Sequence, residues 1–462
     1  MGSSPLRLAT LALALAMAGC STMRTPYATP AADVPAAWST PASSAATAAP
    51  PDRWWTAFGD TTLDTLVDTA LARNNDLAAA ALDVRRAQLQ AGLTQQGQRP
   101  ALSGSVSAQR QRQLDGSGAT SRSHGASLGV SYEVDLWGRL ASQTDAAQWE
   151  AAATEQDLQT ATLSLAATVA RLYWQLGYLN QRVASAEASV AYAERTQELV
   201  GQQYRAGAVS SLEVNEAAQA VAAQRAALSS LQQQRTETRH ALTLLFDTAP
   251  GGAVPAQWLP QEPQAMPGFA LPEVAAGLPA ELLGRRPDLR AAEARLRSLL
   301  ADADATRASY YPTLSLTGGL GSASTALVSL LSNPYAVLGA GITLPFLQVQ
   351  QRKLDNELAR TNYEQAVITF RQSLYTALGE VENALSARTE LARQGERLAQ
   401  ALQAAREVER LYEVRYRNGA VPLKTWLDAQ ESRRNAEDAL AENRLEQLNN
   451  QAALYLALGG SA

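Results

Sequence analysis

Cysteine occurs once in the 462 residues, histidine twice and phenylalanine five times. Cys20 has no partner for an internal disulfide, and His124 and His240 lie far apart in unrelated contexts. These shortages remove most zinc sites and the Ser/His/Asp and Cys/His catalytic arrangements. The glycine-rich phosphate loops G-x-G-x-x-G and G-x-x-x-x-G-K-[ST] are missing too. Carboxylate-only chemistry stays open on paper, but no polar pocket motif accompanies any acidic pair, so neither an enzyme nor a cofactor is expected. The net charge is only -5, without a basic block, which leaves no electrostatic footprint for nucleic acid. Beyond the N-terminus no segment has the eighteen or so apolar residues of a membrane helix, so a bilayer crossing has to use strands.

What is present begins with a secretion signal. Arg7 supplies a positive start, Leu8 to Ala18 a short apolar stretch, and Gly19-Cys20 follow. Met17-Ala18-Gly19-Cys20 resembles a lipobox, with methionine where leucine is usual, which makes Cys20 the lipidated first residue of the mature chain. Ser21 is not the aspartate that retains bacterial lipoproteins in the inner membrane, so the implied address is the outer membrane. Ser21 to Pro51, rich in Pro, Ala, Ser and Thr, reads as an extended tether.

The organising feature is an internal duplication with a period close to 212 residues. Asn75-Asp76-Leu77 corresponds to Pro287-Asp288-Leu289, Pro100-Ala101-Leu102-Ser103 to Pro312-Thr313-Leu314-Ser315, and Leu128-Gly129 to Leu338-Gly339 with a small offset. Tyr204-Arg205-Ala206-Gly207-Ala208-Val209 corresponds to Tyr416-Arg417-Asn418-Gly419-Ala420-Val421. Each half contains a helix, two strands and two long helices.

Alternation marks the strands. Leu102, Gly104, Val106 and Ala108 share one face against serines and glutamines. Leu128, Val130, Tyr132, Val134 and Leu136 form the next apolar face, and the second half repeats the pattern with Leu314, Leu316 and Leu320, then Leu338 through Phe346. Each run is about ten residues long, as a barrel strand with one lipid face and one wet face requires. Gly116-Ser117-Gly118 and the segment around Ser322 to Asn333 are the expected outward loops.

Proline is absent between Pro100 and Pro250, and no strong breaker falls between Arg139 and Tyr204, enough for about 100 Å of helix. Leu165, Val169, Leu172, Leu176, Leu179, Val183, Ala186, Val190 and Ala193 trace a heptad seam. Its counterpart runs from Phe370 through Leu374, Ala377, Val381 and Ala384 to Leu391, Leu398, Leu402 and Ala405, interrupted by Arg388 and Gly395. Gly207 and Gly419 are placed as helix C-caps, and Ser210 with Glu213 forms a capping box opening the return helix.

Four strands cannot close a membrane barrel, so the chain has to oligomerise; two copies give eight strands and three give twelve, and hydrogen-bond arithmetic does not choose. Val134-Asp135-Leu136-Trp137-Gly138-Arg139, Arg285-Arg286-Pro287-Asp288-Leu289, Tyr311-Pro312 and the paired Tyr-Arg-x-Gly-Ala-Val turns resemble the TolC-like outer-membrane factors, in particular their OprM/NodT lipoprotein branch, over nearly all of the chain from Asp52. The resemblance implies an α/β membrane channel. It would be a homotrimer with a twelve-strand β-barrel continued by a twelve-helix α-barrel, with an equatorial region of shorter helices. It implies a passive exit duct for drugs or metabolites, docked to a periplasmic adaptor (a membrane fusion protein) and an inner-membrane pump of the RND type. A type I secretion channel, or a lipid-anchored periplasmic coiled-coil adaptor, is the alternative. The expected divisions are a signal peptide at 1–19, the lipidated tether at 20–51, equatorial and tunnel helices at 52–99 and, after a linker, within 251–311, strand hairpins at 100–137 and 312–347, and helical hairpins at 138–250 and 348–462 with the C-terminus.

The resemblance also places an acidic constriction at the periplasmic tip, matched by Asp428 in Leu427-Asp428-Ala429-Gln430. Thr425 stands where the family can be acidic and Lys424 where it is often apolar; Lys424 is also spaced to pair with Asp428. Glu213 and Glu216 are the first-half counterparts of Thr425 and Asp428. Trp137-Gly138-Arg139 lies where strand passes into helix and is expected to fix that junction with an aromatic at the interface. Arg285-Arg286-Pro287-Asp288 reads as a helix start. Glu133 and Asp135 would face the lumen, either biasing ions or merely wetting it.

Overall fold

The computed structural model describes residues 23–39, 53–114, 118–251, 255, 257–258 and 261–460. The signal segment, Cys20, residues 40–51 of the tether and Gly116-Ser117 of the first strand loop lie outside the described residues. In chain order the elements are α1 (Thr61–Arg73), α2 (Asn75–Gln96), β1 (Ala101–Arg112), β2 (Thr120–Val134), α3 (Arg139–Arg205), α4 (Ser211–Leu244), α5 (Pro287–Ala308), β3 (Thr313–Ser324), β4 (Pro334–Thr343), α6 (Val349–Arg417) and α7 (Leu423–Ala457). No described helix is long and apolar enough to cross a membrane. Two compact units can be distinguished: Leu82–Gln156 with Arg290–Ser373 and the N-terminal residues to Ala32, and Asp33–Ala81 with Asp157–Leu289 and Leu374–Ala462.

The first unit carries the sheet, an antiparallel meander in the order β1-β2-β3-β4. Its register aligns the apolar residues in cross-strand rows: Leu102 pairs Val130, Val130 pairs Gly318 and Gly318 pairs Leu338, while Leu128 pairs Leu320. Because side chains alternate, the neighbouring rows of Ser103, Gly129 and Gly319, and of Ser131, Thr317 and Gly339, fall on the other face. At Gly318 the row is tight, since a Cβ there would lie 3.1 Å from Val130 Cγ1, which would have to give by a few tenths of an ångström.

Two strand bounds differ from the alternation. β2 begins at Thr120, eight residues before the apolar run, because Gln109–Arg112 of β1 draw the polar stretch Thr120–Ser123 into the ladder. β4 stops at Thr343, and Leu344 and Phe346 leave the strand at a 3-10 turn over Pro345–Leu347, where Pro345 has no N–H for a ladder. Between β3 and β4 the connection is shortened by a 3-10 turn at Leu327–Ser332.

The second unit is packed around the long helices. Val169, Leu176, Leu179, Val183 and Ala193 of the first seam are buried, as are Phe370 in the first unit and Leu374, Ala377, Val381, Ala384 and Leu402 of the counterpart. Around Trp174 the buried surface is wider than a seam, because an aromatic cluster covers it. Phe58 lies 5.0 Å from Trp174 and 6.0 Å from Phe269, and Trp54 stacks on Tyr455 at 5.1 Å. Two of the few phenylalanines, Phe58 and Phe269, thus join tryptophan and tyrosine in an aromatic core. The seam's interruption at Gly395 also has a cause. A Cβ there would lie 2.7 Å from Asn443 Oδ1. Asn443 Nδ2 and Gln447 Nε2 both donate to the Leu391 carbonyl at 3.1 Å, a polar clasp from α7 that reaches the α6 backbone.

The tether differs from a free leash. In the first unit Thr25 binds Asp304 through both its N–H and its hydroxyl at 2.6 and 2.7 Å, Arg24 pairs with Asp145 at 2.8 Å, and Arg297 lies between the rings of Tyr27 and Trp149. In the second unit the Trp38 indole donates to the Gly277 carbonyl and Ser39 binds Glu382.

Candidate functional site

The helical tip is built twice from one local rule. α3 ends on Gly207 and α6 on Gly419, at φ +73 and +70, where an L side chain is strained and glycine is not. In both turns the N–H three residues past the helix reaches five residues back: Ala208 to Gln203 O and Ala420 to Arg415 O, each at 2.9 Å. The glycine N–H reaches three back, to Tyr204 O and Tyr416 O, which completes a Schellman turn.

The return helices then differ. α4 opens with the complete capping box: Ser210 Oγ accepts from Leu212 N–H, and the Ser210 N–H donates to Glu213 Oε2 at 2.9 Å. The Ser210 hydroxyl holds the Glu213 carboxyl below the usual carboxylate range. α7 has Pro422 at that place and no side-chain cap. Its first turn carries a cation, Lys424, opposed by the helix dipole. Lys424 Nζ donates to Asp428 Oδ1 at 2.9 Å one turn on, and this bond and the Asp428 charge, with Glu216 adding, hold the ammonium above its usual range. Of the five tip residues singled out by sequence, Lys424 and Asp428 are joined directly and Glu216 acts on Lys424 through space. Glu213 serves its own helix end, and Thr425 is half-buried with its N–H on Pro422 O.

Beneath these charges lies a cluster that sequence reading missed. Trp426, 2% exposed, stacks on Tyr416 at 5.1 Å and meets Tyr192 edge-on at 6.1 Å, packed with Val200 of α3, Ala217 of α4 and Leu423. The Tyr416 hydroxyl donates to Gln203 Oε1 at 2.7 Å, tying α6 to α3. Burial, with Glu413 adding, pushes the Tyr192 phenol up to about 12. The available signal was the break in the repeat, tryptophan at 426 standing where the first half has Val214; the difference between buried Tyr416 and half-exposed Tyr204 has no sequence signal, since both are tyrosine.

At the strand-to-helix junction the Trp137 indole donates to Pro312 O at 2.8 Å and its ring lies 5.1 Å from Tyr311. Gly138 turns at φ +75, and Arg139 grips both oxygens of Glu133 at 2.7 and 2.8 Å. Asp135 accepts the Ala141 N–H at 2.8 Å, satisfying a free donor in the first turn of α3. Glu133 and Asp135 are therefore engaged in the junction itself.

Set beside known proteins, the chain matches the family described as Outer membrane efflux protein over residues 66–246 and 278–460, two segments that begin 212 residues apart. It is 36% identical to the pyoverdine export outer membrane protein OpmQ of Pseudomonas putida over 99% of this chain and 97% of that one. It is 33% identical to the probable efflux pump outer membrane protein TtgC of the same species over 100% and 96%. The open-state outer membrane channel MtrE of Neisseria gonorrhoeae superposes with a TM-score of 0.78 at 29% identity, covering 95% of this chain and 98% of that structure.

Proposed function

The chain belongs to the outer membrane efflux protein family, and from that membership we propose how its duct is assembled, closed and driven. It is an outer-membrane efflux channel subunit that reaches into the periplasm. Three copies join edge to edge, β4 of one beside β1 of the next, giving a twelve-strand barrel, and α3, α4, α6 and α7 of each copy supply a twelve-helix tunnel. The shorter helices α1, α2 and α5 supply the equatorial region and part of the tunnel. Cys20 is lipidated and holds the N-terminus in the membrane. A periplasmic adaptor and an RND-type inner-membrane pump complete the path and supply the energy, so the subunit performs no catalytic step. Drugs and small metabolites are the cargo, and the pyoverdine relative puts siderophores among those to test first. Asp428 and Lys424 set the charge at the periplasmic constriction.

One observation supports this reading above the others. Among the described residues the sheet has two unpaired edges, β1 and β4, and an apolar face on which Leu102, Val106 and Leu338 are 85%, 83% and 92% exposed in the single chain. In hydrocarbon such a face is solvated by lipid, but the bare edges are prohibitive until another copy covers them. The two faces should therefore respond oppositely to charge. Val106→Arg, on the apolar face, is expected to cost about 2–4 kcal/mol near the bilayer midplane and to abolish heat-modifiable oligomers in outer-membrane fractions. Ser105→Arg, on the other face, should leave the oligomers intact and alter only conductance. Equal tolerance of both would overturn the barrel.

A further inference from the structure

We propose that a groove between the end of α5 and the start of α6 binds the phosphodiester headgroup of an anionic phospholipid from the periplasmic leaflet. The proposal rests on the outer-membrane placement above and goes beyond the duct itself. The groove has a volume of about 750 Å³ and draws its cations from both helices: Arg307 from α5, and Arg352, Lys353 and Arg360 from α6. Two of these charges are already met, Arg307 by Asp304 and Arg360 by Glu364. Among the described residues Arg352 and Lys353 have no ion pair. Asp355, the nearest acid in sequence, is taken by the Tyr310 hydroxyl and by Gln351. Glu357 on the same wall offsets one charge and leaves the groove cationic.

This excess charge is placed where it costs stability. Arg352 is the fourth residue of a 69-residue helix whose first turn contains no acid, so the helix dipole opposes its charge, and Lys353 follows at the start of the second turn. An anion seated between them would offset that cost. The surroundings indicate which anion. Tyr311, on the groove wall, is two residues before β3 and pairs by its ring with Trp137, at the end of the sheet where Thr313 meets Thr343. Tryptophan and tyrosine collect at the headgroup level, and this pair sits at the end of the strands that carry the apolar face. Leu354, 57% exposed, adds an apolar lip to the groove. A phosphate with cations on one side and an acyl surface on the other is the chemistry of a phospholipid, and basic pockets beside membrane-spanning elements take such headgroups.

The test is native mass spectrometry of the delipidated, detergent-solubilised protein titrated with phosphatidylglycerol, phosphatidylcholine or inorganic phosphate. Phosphatidylglycerol should be retained and phosphatidylcholine should not, with millimolar inorganic phosphate failing to displace the lipid. Arg352→Gln with Lys353→Gln should weaken retention about thirtyfold, from roughly fivefold per cation. Arg352→Lys with Lys353→Arg should keep it, and Arg393→Gln with Arg397→Gln, far along α6, should not affect it. Oligomer heat-stability, measured on every variant, separates lost binding from lost folding. Equal retention of phosphatidylcholine, unchanged binding in the double glutamine variant, or loss in the remote control would overturn the proposal. Ready displacement by inorganic phosphate would do so as well, by reducing the groove to a bare anion site.

Discussion

Arg286 is 8% exposed and binds three groups: both oxygens of Asp288 at 3.0 and 2.7 Å, Glu380 at 2.7 Å and the Ala457 carbonyl at 3.1 Å. Burial pushes the Asp288 carboxyl up, but the Arg286 hydrogen bonds and charge outweigh it and hold it below its usual range. A depressed carboxylate contributes stability that is complete above its unfolded value, about 3.9, and is lost as pH falls through the lower folded value. Arg286→Met should therefore cost about 2 kcal/mol, less than a fully buried pair because both acids are partly solvated. It should also flatten the acid limb of a thermal-stability profile below pH 4; a variant with the wild-type limb would show that Asp288 draws its stabilisation elsewhere. The sequence made the helix start at Pro287 legible, since proline in the first turn and an acid beside it are local signals. It did not reveal the clasp, because Glu380 and Ala457 are 94 and 171 residues away.

At the level of helices and strands, periodicity was readable wherever one face is buried or lipid-directed, and unreadable where pairing alone sets the conformation. Seam positions such as Val169 and Leu374 are buried as their spacing requires, whereas Thr120–Ser123 is a strand only because β1 extends alongside it. The same division applies at the tip. Gly207 and Gly419 were legible because a left-handed helix end leaves few choices of residue, while the Trp426 cluster draws on all four long helices and has no local signature. A Cβ at either glycine meets nothing within 4 Å, so Gly207→Ala and Gly419→Ala should each cost only the backbone term, about 1 kcal/mol. Trp426→Ala empties a buried site and should cost about 3 kcal/mol or more. Hydrogen exchange across residues 192–217 and 412–430 tests this contrast: the tryptophan variant should loosen both hairpins together, and the glycine variants only their own turns. Loosening of a single hairpin by Trp426→Ala would mean that the cluster does not join them.

In the trimer proposed above, each charge at the tip would be present three times around one axis, and the ion pair of the single chain would become a ring. Asp428 and Lys424 are 57% and 68% exposed at the side chain, so their 2.9 Å contact is worth little as stability and matters through the field it projects. Removing the acid should relieve the constriction: Asp428→Ala is expected to raise the resting conductance of trimers in a planar bilayer, and an unchanged conductance would remove Asp428 from that role. Lys424→Ala is the more discriminating change, because it leaves three carboxylates without their local cations. Its reversal potential should shift toward greater cation selectivity. The shift should be large at 10 mM salt, where fields extend about 30 Å, and nearly absent at 1 M, where they extend about 3 Å. If the carboxylates line the ion path, the low-salt shift should be lost in the double variant Lys424→Ala with Asp428→Ala; persistence of the shift there would place the responsible charge elsewhere, with Glu216 the next residue to replace.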